Sequence, residues 1–337
     1  MAEVHPRKTS LRDAVLIACC QGDSAYRKLL ADPGDPSPRW YSSTHSLAGR
    51  LAILGSRIPG LKSIILEAWQ RKVPGGLLHF LARKRFVEDQ VRDAIQAGFK
   101  QIVLFGSGYD SLGPRLAHEF PHLNVFEVDH PPTQAIKLLT LEKKMRHPVN
   151  LHFLPVELRK GTLERHLLQE RGYDTHLHVL FVAERVLPYL PDQEVDEIFN
   201  FTYEHGITNS RFIFTVVDDI LLNDPSSFLH REAKKAAKQG RPICSSVNLD
   251  EIEKFLFQRG LKGIGYADDN FITEQYLKPA GFRSPPVLGE MVVVSEKAEW
   301  AKWMLSRKPQ IIQLFTVTQP GAATPPPASP TPPASSA

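Results

Sequence analysis

Gly106, Gly108, Asp110, Glu127 and Asp129 mark the segment QIVLFGSGYDSLGPRLAHEFPHLNVFEVDHP, Gln101 to Pro131. An apolar run stops at Gly106, Gly108 follows, and Asp110 comes next. A second apolar run then ends in Glu127 and Asp129. Glycine tolerates positive φ and lets a ligand approach the backbone. The helix that follows such a turn offers free N–H groups. Side chains alternate along a strand, so Glu127 and Asp129 share a face, with Asp129 at the strand's end. A carboxylate there can accept two hydrogen bonds from a ribose diol, and about 20 residues after the glycine turn is the spacing expected for nucleoside binding. A lone GxG is equally the mark of a plain tight turn. A dinucleotide fingerprint would put a third glycine where Ser111 stands. Asp110 would repel a pyrophosphate and suit a ligand with a cationic end. S-adenosylmethionine, with a sulfonium, an ammonium and no phosphate, meets that requirement; a nicotinamide dinucleotide does not.

Other residues offer chemistry less openly. Glu184 closes the apolar run LFVA, where an unpartnered buried carboxylate would cost several kcal/mol. It therefore has a ligand or a basic neighbour such as Arg185. Arg83 lies in the basic triplet Arg83-Lys84-Arg85, which with Lys234-Lys235 reads as a solvated helix face or a small-anion contact. Glu127 reads as structural rather than ligating. Tyr189 can close a pocket or simply pack. His205, Asp218 and Asp219 fall near strand ends, but none stands out as a catalytic base. The 13 histidines show no metal-ligand spacing, so no metal is expected. Cys19 and Cys20 are adjacent, form no CxxC pair with Cys244, and read as core residues of the first helix.

The elements that must position these residues are legible from periodicity. Short apolar runs of strand length fall at 102–105, 125–128, 151–156, 177–183 and 211–217. Helical segments at 113–120, 132–146, 161–171 and 192–205 separate them. Strict alternation of strand and helix predicts an α/β fold with a doubly wound, mostly parallel, seven-stranded sheet covered on both faces, in the manner of a Rossmann-like domain. Its last two strands fall near 264–267 and 289–295. A long helix precedes the first strand, with apolar spacing from Leu77 to Ala97 and a stop at Gly98. Ser10 followed by Asp13 predicts a capped first helix over LRDAVLIACC. Shorter helical pieces fill 44–72. The division is an N-terminal helical cap over 1–76, a catalytic domain over 77–317 with a lid at 220–285, and a tail over 318–337. That tail is Pro, Ala, Ser and Thr and should be disordered.

Composition narrows the partners. The chain has 337 residues, 42% of them apolar and 23% charged, as an ordinary soluble domain has. A formal net charge of +4 is too thin and dispersed to predict a nucleic-acid partner. No apolar stretch has the length of a membrane span or a signal peptide. Three cysteines without a disulfide pattern suit a reducing cytoplasm.

Three segments together, FLARKRFVEDQVRDAIQAGFKQIVLFGSGYDSLGPRLAHEFPHLNVFEVDHPPTQAIK, LHFLPVEL and LFVAERVLPYLP, resemble the leucine carboxyl methyltransferase family. The resemblance leans toward that family's bacterial O-methyltransferases of polyketide pathways. It covers roughly residues 75–220 and implies the fold of class I S-adenosylmethionine methyltransferases. It implies that Arg83 meets the methionine carboxylate of the cofactor, and that Gly106 and Gly108 line its methionine end. Asp129 would hold the ribose, Glu157 and Leu158 the adenine, and Glu184 would face the sulfonium. Two departures concern the acceptor side: Arg185 stands where the family has Gly, and Pro188 where it has an apolar residue before the Tyr. Glu157 stands where the family has Asp. The function implied is methyl transfer to a hydroxyl or carboxyl oxygen of a small molecule. The alternative is a methyltransferase-like module that has lost catalysis and serves as a binding partner.

Overall fold

The computed structural model describes residues 8–298 apart from 41–46, 59, 146, 158–162, 171 and 284–288. Leu158 and the Pro-rich tail therefore lie outside the described residues.

Seven strands form one sheet: β1 (Gln101–Phe105), β2 (Asn124–Asp129), β3 (Leu151–Pro155), β4 (Val179–Ala183), β5 (Arg211–Val217), β6 (Leu261–Ala267) and β7 (Glu290–Lys297). The order is β3-β2-β1-β4-β5-β7-β6. The first five strands are parallel, and β7 inserts antiparallel between β5 and β6. Strand order reverses between β1 and β4. The crevice outside the carboxyl ends of those two strands is where an open α/β sheet binds its ligand.

Alternation along the strands explains the two-sided core. Ile102, Leu104, Val125, Leu180, Val182 and Ile213 pack on one face with the N-terminal helices. Val103, Phe105, Phe126, Val128, Phe181 and Phe212 pack on the other. Strands β1, β4 and β5 are thus mostly apolar at successive positions rather than at alternate ones, the signature of a sheet buried on both sides.

Five helices matter for the site. They are α1 (Lys8–Gln21), α2 (Gly76–Gln96), α3 (Leu112–Glu119), α4 (Pro131–Lys144) and α5 (Asp192–His205). Ser10 lies inside helix α1 instead of capping it. Cys19 and Cys20 are fully buried in the core, as their position predicts. Helix α2 lies against the first sheet face through Leu77, Leu78, Leu81, Val87 and Val91. The stretch 220–285 carries edge strand β6 as well as helices, so it contributes to the sheet itself.

Candidate functional site

The glycine turn sits at the carboxyl end of β1, with Gly106 at φ 62° and Gly108 at φ 52°. The Gly106 N–H donates to the Val128 carbonyl at 2.7 Å, which ties the turn to β2. A side chain at Gly106 would also collide with Val186 on the β4 side. The glycine requirement is therefore doubled, by conformation and by space.

Asp129 ends β2 and is 5% exposed. One carboxylate oxygen accepts from the Gly108 N–H and the other from the His130 N–H at 2.6 Å. A carboxylate offers about four acceptor sites, so two lone pairs remain for a ribose diol. Beyond it, His130 Nε2 lies 3.4 Å from Glu157 Oε1, placing Glu157 at the same edge after β3. Glu127 behaves as the sequence suggests. It is fully buried, with Lys137 of α4 2.7 Å from Oε2 and the Ser107 hydroxyl donating at 3.1 Å. Burial pushes its carboxyl above the usual range, and Lys137 works against that.

The methionine side of the expected site is a chain of ion pairs. Arg83, on α2 and 2% exposed, donates from Nε to Glu184 Oε1 at 2.9 Å and from Nη1 to Glu290 Oε2 at 3.2 Å. Lys84 reaches Asp110 at 2.5 Å and Glu184 at 3.5 Å. Arg85 alone of the triplet makes an ordinary helix-face pair, with Asp89 at 3.1 Å. The expectation of a solvated basic face thus holds for one residue in three. Arg83 and Glu184 are one another's partners, which departs from a picture in which each holds a separate end of a ligand.

Asp110 needs the same revision. Its Oδ2 is neutralised by Lys84, so its charge alone does not choose between ligands. Its Oδ1 accepts from the Leu112 N–H at 3.1 Å, in the first turn of α3. A carboxylate thus occupies the anion position that a pyrophosphate would take. The exclusion of a dinucleotide stands for this structural reason. Burial would raise the Asp110 carboxyl, but Lys84 outweighs it and holds the group below its ordinary value.

Three residues of this cluster were not singled out by sequence. Glu290 is the first residue of β7, paired in register with Val217. Because β7 runs antiparallel, its start lies at the carboxyl edge of its neighbours. Glu290 meets Arg83, His79 Nε2 at 3.1 Å and Arg185 Nε at 3.5 Å. Burial would raise its carboxyl, but Arg185, Arg83 and His79 together hold it well below the usual range. His79 is buried between Glu290 and Asp269, whose Oδ1 lies 3.4 Å from Nδ1. Burial works against its protonation, and the two carboxylates outweigh burial and raise its pKa. Asp13, on α1, lies in the field of Lys84, Arg185 and Arg83. Burial pushes its carboxyl from 3.8 up to about 6, only partly offset by those cations.

Arg185 accounts for the departure from Gly. Its φ is 53°, the left-handed conformation in which glycine is unstrained. The backbone N–H donates to the Thr215 hydroxyl at 2.7 Å, and Nη2 donates to the Tyr189 hydroxyl at 3.1 Å. The residues considered as bases are accounted for elsewhere. His205 ends α5, at the opposite edge of the sheet, with Nε2 3.3 Å from Glu164. Asp218 caps a short helix through the Ile220 N–H, and Asp219 accepts from Asn223 and Ser246. Among the described residues no His, Cys, Asp and Glu cluster could hold a metal.

Residues 63–203 match the leucine carboxyl methyltransferase family. The match spans Arg83, the glycine turn, Asp129, Glu157 and Glu184. The chain is 30% identical over 184 residues to YktD of Bacillus subtilis, named as an S-adenosyl-L-methionine-dependent methyltransferase; the alignment covers 54% of this chain and 60% of that one. A Mycobacterium avium protein named for the same activity is 33% identical over 152 residues, covering 44% of this chain and 50% of its own. The chain thus spans half to three-fifths of the length of these relatives. A solved DUF574 family protein from Streptomyces avermitilis superposes with a TM-score of 0.54 at 16% identity, over 71% of this chain and 91% of that one. A solved methyltransferase-class protein from Thermobifida fusca gives 0.53 at 17%, over 71% and 89%. Both likenesses concern the fold.

Proposed function

We propose that the chain is an S-adenosylmethionine-dependent O-methyltransferase that modifies a hydroxyl or carboxyl oxygen of a small molecule. The observation that carries this reading is Arg83. It is buried at the carboxyl edge of the sheet, held through Nε and Nη1, with no described partner for Nη2. A nearly inaccessible guanidinium nitrogen at that edge suits a carboxylate. Asp129 keeps lone pairs for a ribose, and Glu157 lies one strand further toward the adenine side. Leu158 would complete that side. These residues fit S-adenosylmethionine.

The cofactor, when bound, supplies an activated methyl group. The chain's own residues bind and orient it, and they keep the site dry. A carboxylate acceptor needs no base, whereas a hydroxyl acceptor needs one. Tyr189, whose hydroxyl accepts from Arg185, would close the acceptor side.

Calorimetric titration with S-adenosylhomocysteine tests the cofactor half of this reading. Release of S-adenosylhomocysteine across a panel of hydroxyl and carboxyl acceptors tests the other half. Absence of binding would sink the first. The mutual neutralisation of Arg83 and Glu184 favours a second reading, a binding module without catalysis. Cofactor binding with no turnover on any acceptor would favour that module.

A further inference from the structure

Arg83 is fixed from two directions. Glu184, at the end of β4, takes Nε at 2.9 Å. Glu290, at the start of β7 and 207 residues away in sequence, takes Nη1 at 3.2 Å. The two anchors do different things. A carboxylate facing arginine side-on tends to grip two nitrogens at once. Glu184 already holds Nε, so the nitrogen it would take next is Nη2. A pull on Nη1 from a separate carboxylate resists that rotation. Glu290 is itself well held: it is 6% exposed, belongs to a central strand, and is braced by His79 at 3.1 Å and Arg185 at 3.5 Å.

We propose that Glu290 is a positioning residue for Arg83, keeping its guanidinium turned so that Nη2 stays available to the carboxylate of the cofactor's amino-acid end. This rests on the cofactor reading of Arg83 given above. Glu290 does not touch the ligand. Its effect is confined to the group Arg83 binds, so it distinguishes ligands that carry an amino-acid end from those that do not.

The experiment is calorimetry on the full chain with S-adenosylhomocysteine and, separately, with adenosine, which lacks that end. Glu290→Gln keeps the shape and removes the charge. It should weaken S-adenosylhomocysteine binding about tenfold or more, the scale of a hydrogen bond to a charged group. Adenosine binding should stay within about twofold. Glu290→Asp, which keeps the charge but draws it back, reads the same contrast with a smaller loss if Glu290→Gln does not fold. In an Arg83→Ala background, Glu290→Gln should add less than about twofold, because the residue it positions is gone. If Arg83→Ala weakens S-adenosylhomocysteine while Glu290→Gln does not, the proposal is overturned and the cofactor reading stands. If Arg83→Ala itself changes nothing, the cofactor reading of Arg83 fails, and the proposal with it. Equal losses for adenosine and for S-adenosylhomocysteine, or full additivity in the double variant, would make Glu290 a support of the fold and overturn the proposal.

Discussion

Gly106→Ala should be among the most damaging small changes in the molecule, and its cost can be divided. The residue has φ 62°, where an L side chain costs about 1–2 kcal/mol. A Cβ there would also lie 2.5 Å from Val186 Cγ2, far inside contact distance. Overpacking of this kind costs about 1–3 kcal/mol. The sum is about 2–5 kcal/mol, against a total stability on the order of 5–15 kcal/mol. The variant should therefore fold with a urea midpoint well below that of the parent. Val186→Ala separates the two contributions. By itself it removes two buried methyl groups, about 1.6 kcal/mol of transfer energy plus a cavity contribution. In that background Gly106→Ala should cost only the conformational part, so the double variant is more stable than additivity predicts by about 1–3 kcal/mol. A loss below about 1 kcal/mol for Gly106→Ala, or strict additivity with Val186→Ala, would refute this account of the turn.

Asp129→Ala should weaken S-adenosylhomocysteine binding by about 1.5–3 kcal/mol, measured by calorimetry; it should also lower the melting temperature, because the Gly108 and His130 N–H groups lose their acceptor. Lys137→Met leaves Glu127 buried and unpaired and should cost about 3–5 kcal/mol in chemical denaturation, whereas Glu127→Gln combined with Lys137→Met should recover most of it. Asp13 gives a pH dependence of definite sign. Its folded carboxyl, at about 6, lies above the usual 3.8, so the folded state holds the proton longer, and stability falls as pH rises from about 4 to 6. At 1.36 kcal/mol per pH unit the fall is about 2–3 kcal/mol. Asp13→Asn should flatten that window and raise stability at pH 8; unchanged stability across pH 4–8 would contradict it.

The sheet was readable because β1, β4 and β5 are apolar runs buried on both faces, and a turn or helix signal bounds each of the first five strands. Arg211–Val217 matches to the residue, and the others differ only at their ends. Helix α1 was less readable: Ser10 carries a capping signal, yet it lies inside the helix. The ligand edge was readable where the chain is parallel, because Gly106, Asp129 and Glu184 each follow the end of an apolar run. Glu290 was not, since its strand is antiparallel and it comes before the run. Nor was the division of labour in Arg83-Lys84-Arg85 visible. Adjacent helical residues are separated by about a third of a turn, and composition does not reveal which of them faces inward. The positive φ at Arg185 likewise has no local signal, because only the requirement for glycine, not its replacement, can be read from a turn.

The antiparallel insertion of β7 also fixes an order of events during synthesis. Arg83 leaves the ribosome early, and so do the glycine turn, Asp129 and Glu184. A nascent chain can pair its first five strands and still lack the carboxylate that anchors Arg83 Nη1, which comes 207 residues after it. Closing so long a loop is among the slower steps of folding, and domains fold as units once their last strand is available. Until β7 slides between β5 and β6, the arginine has one anchor instead of two. Full affinity for an amino-acid end would therefore arise only once β7 has paired.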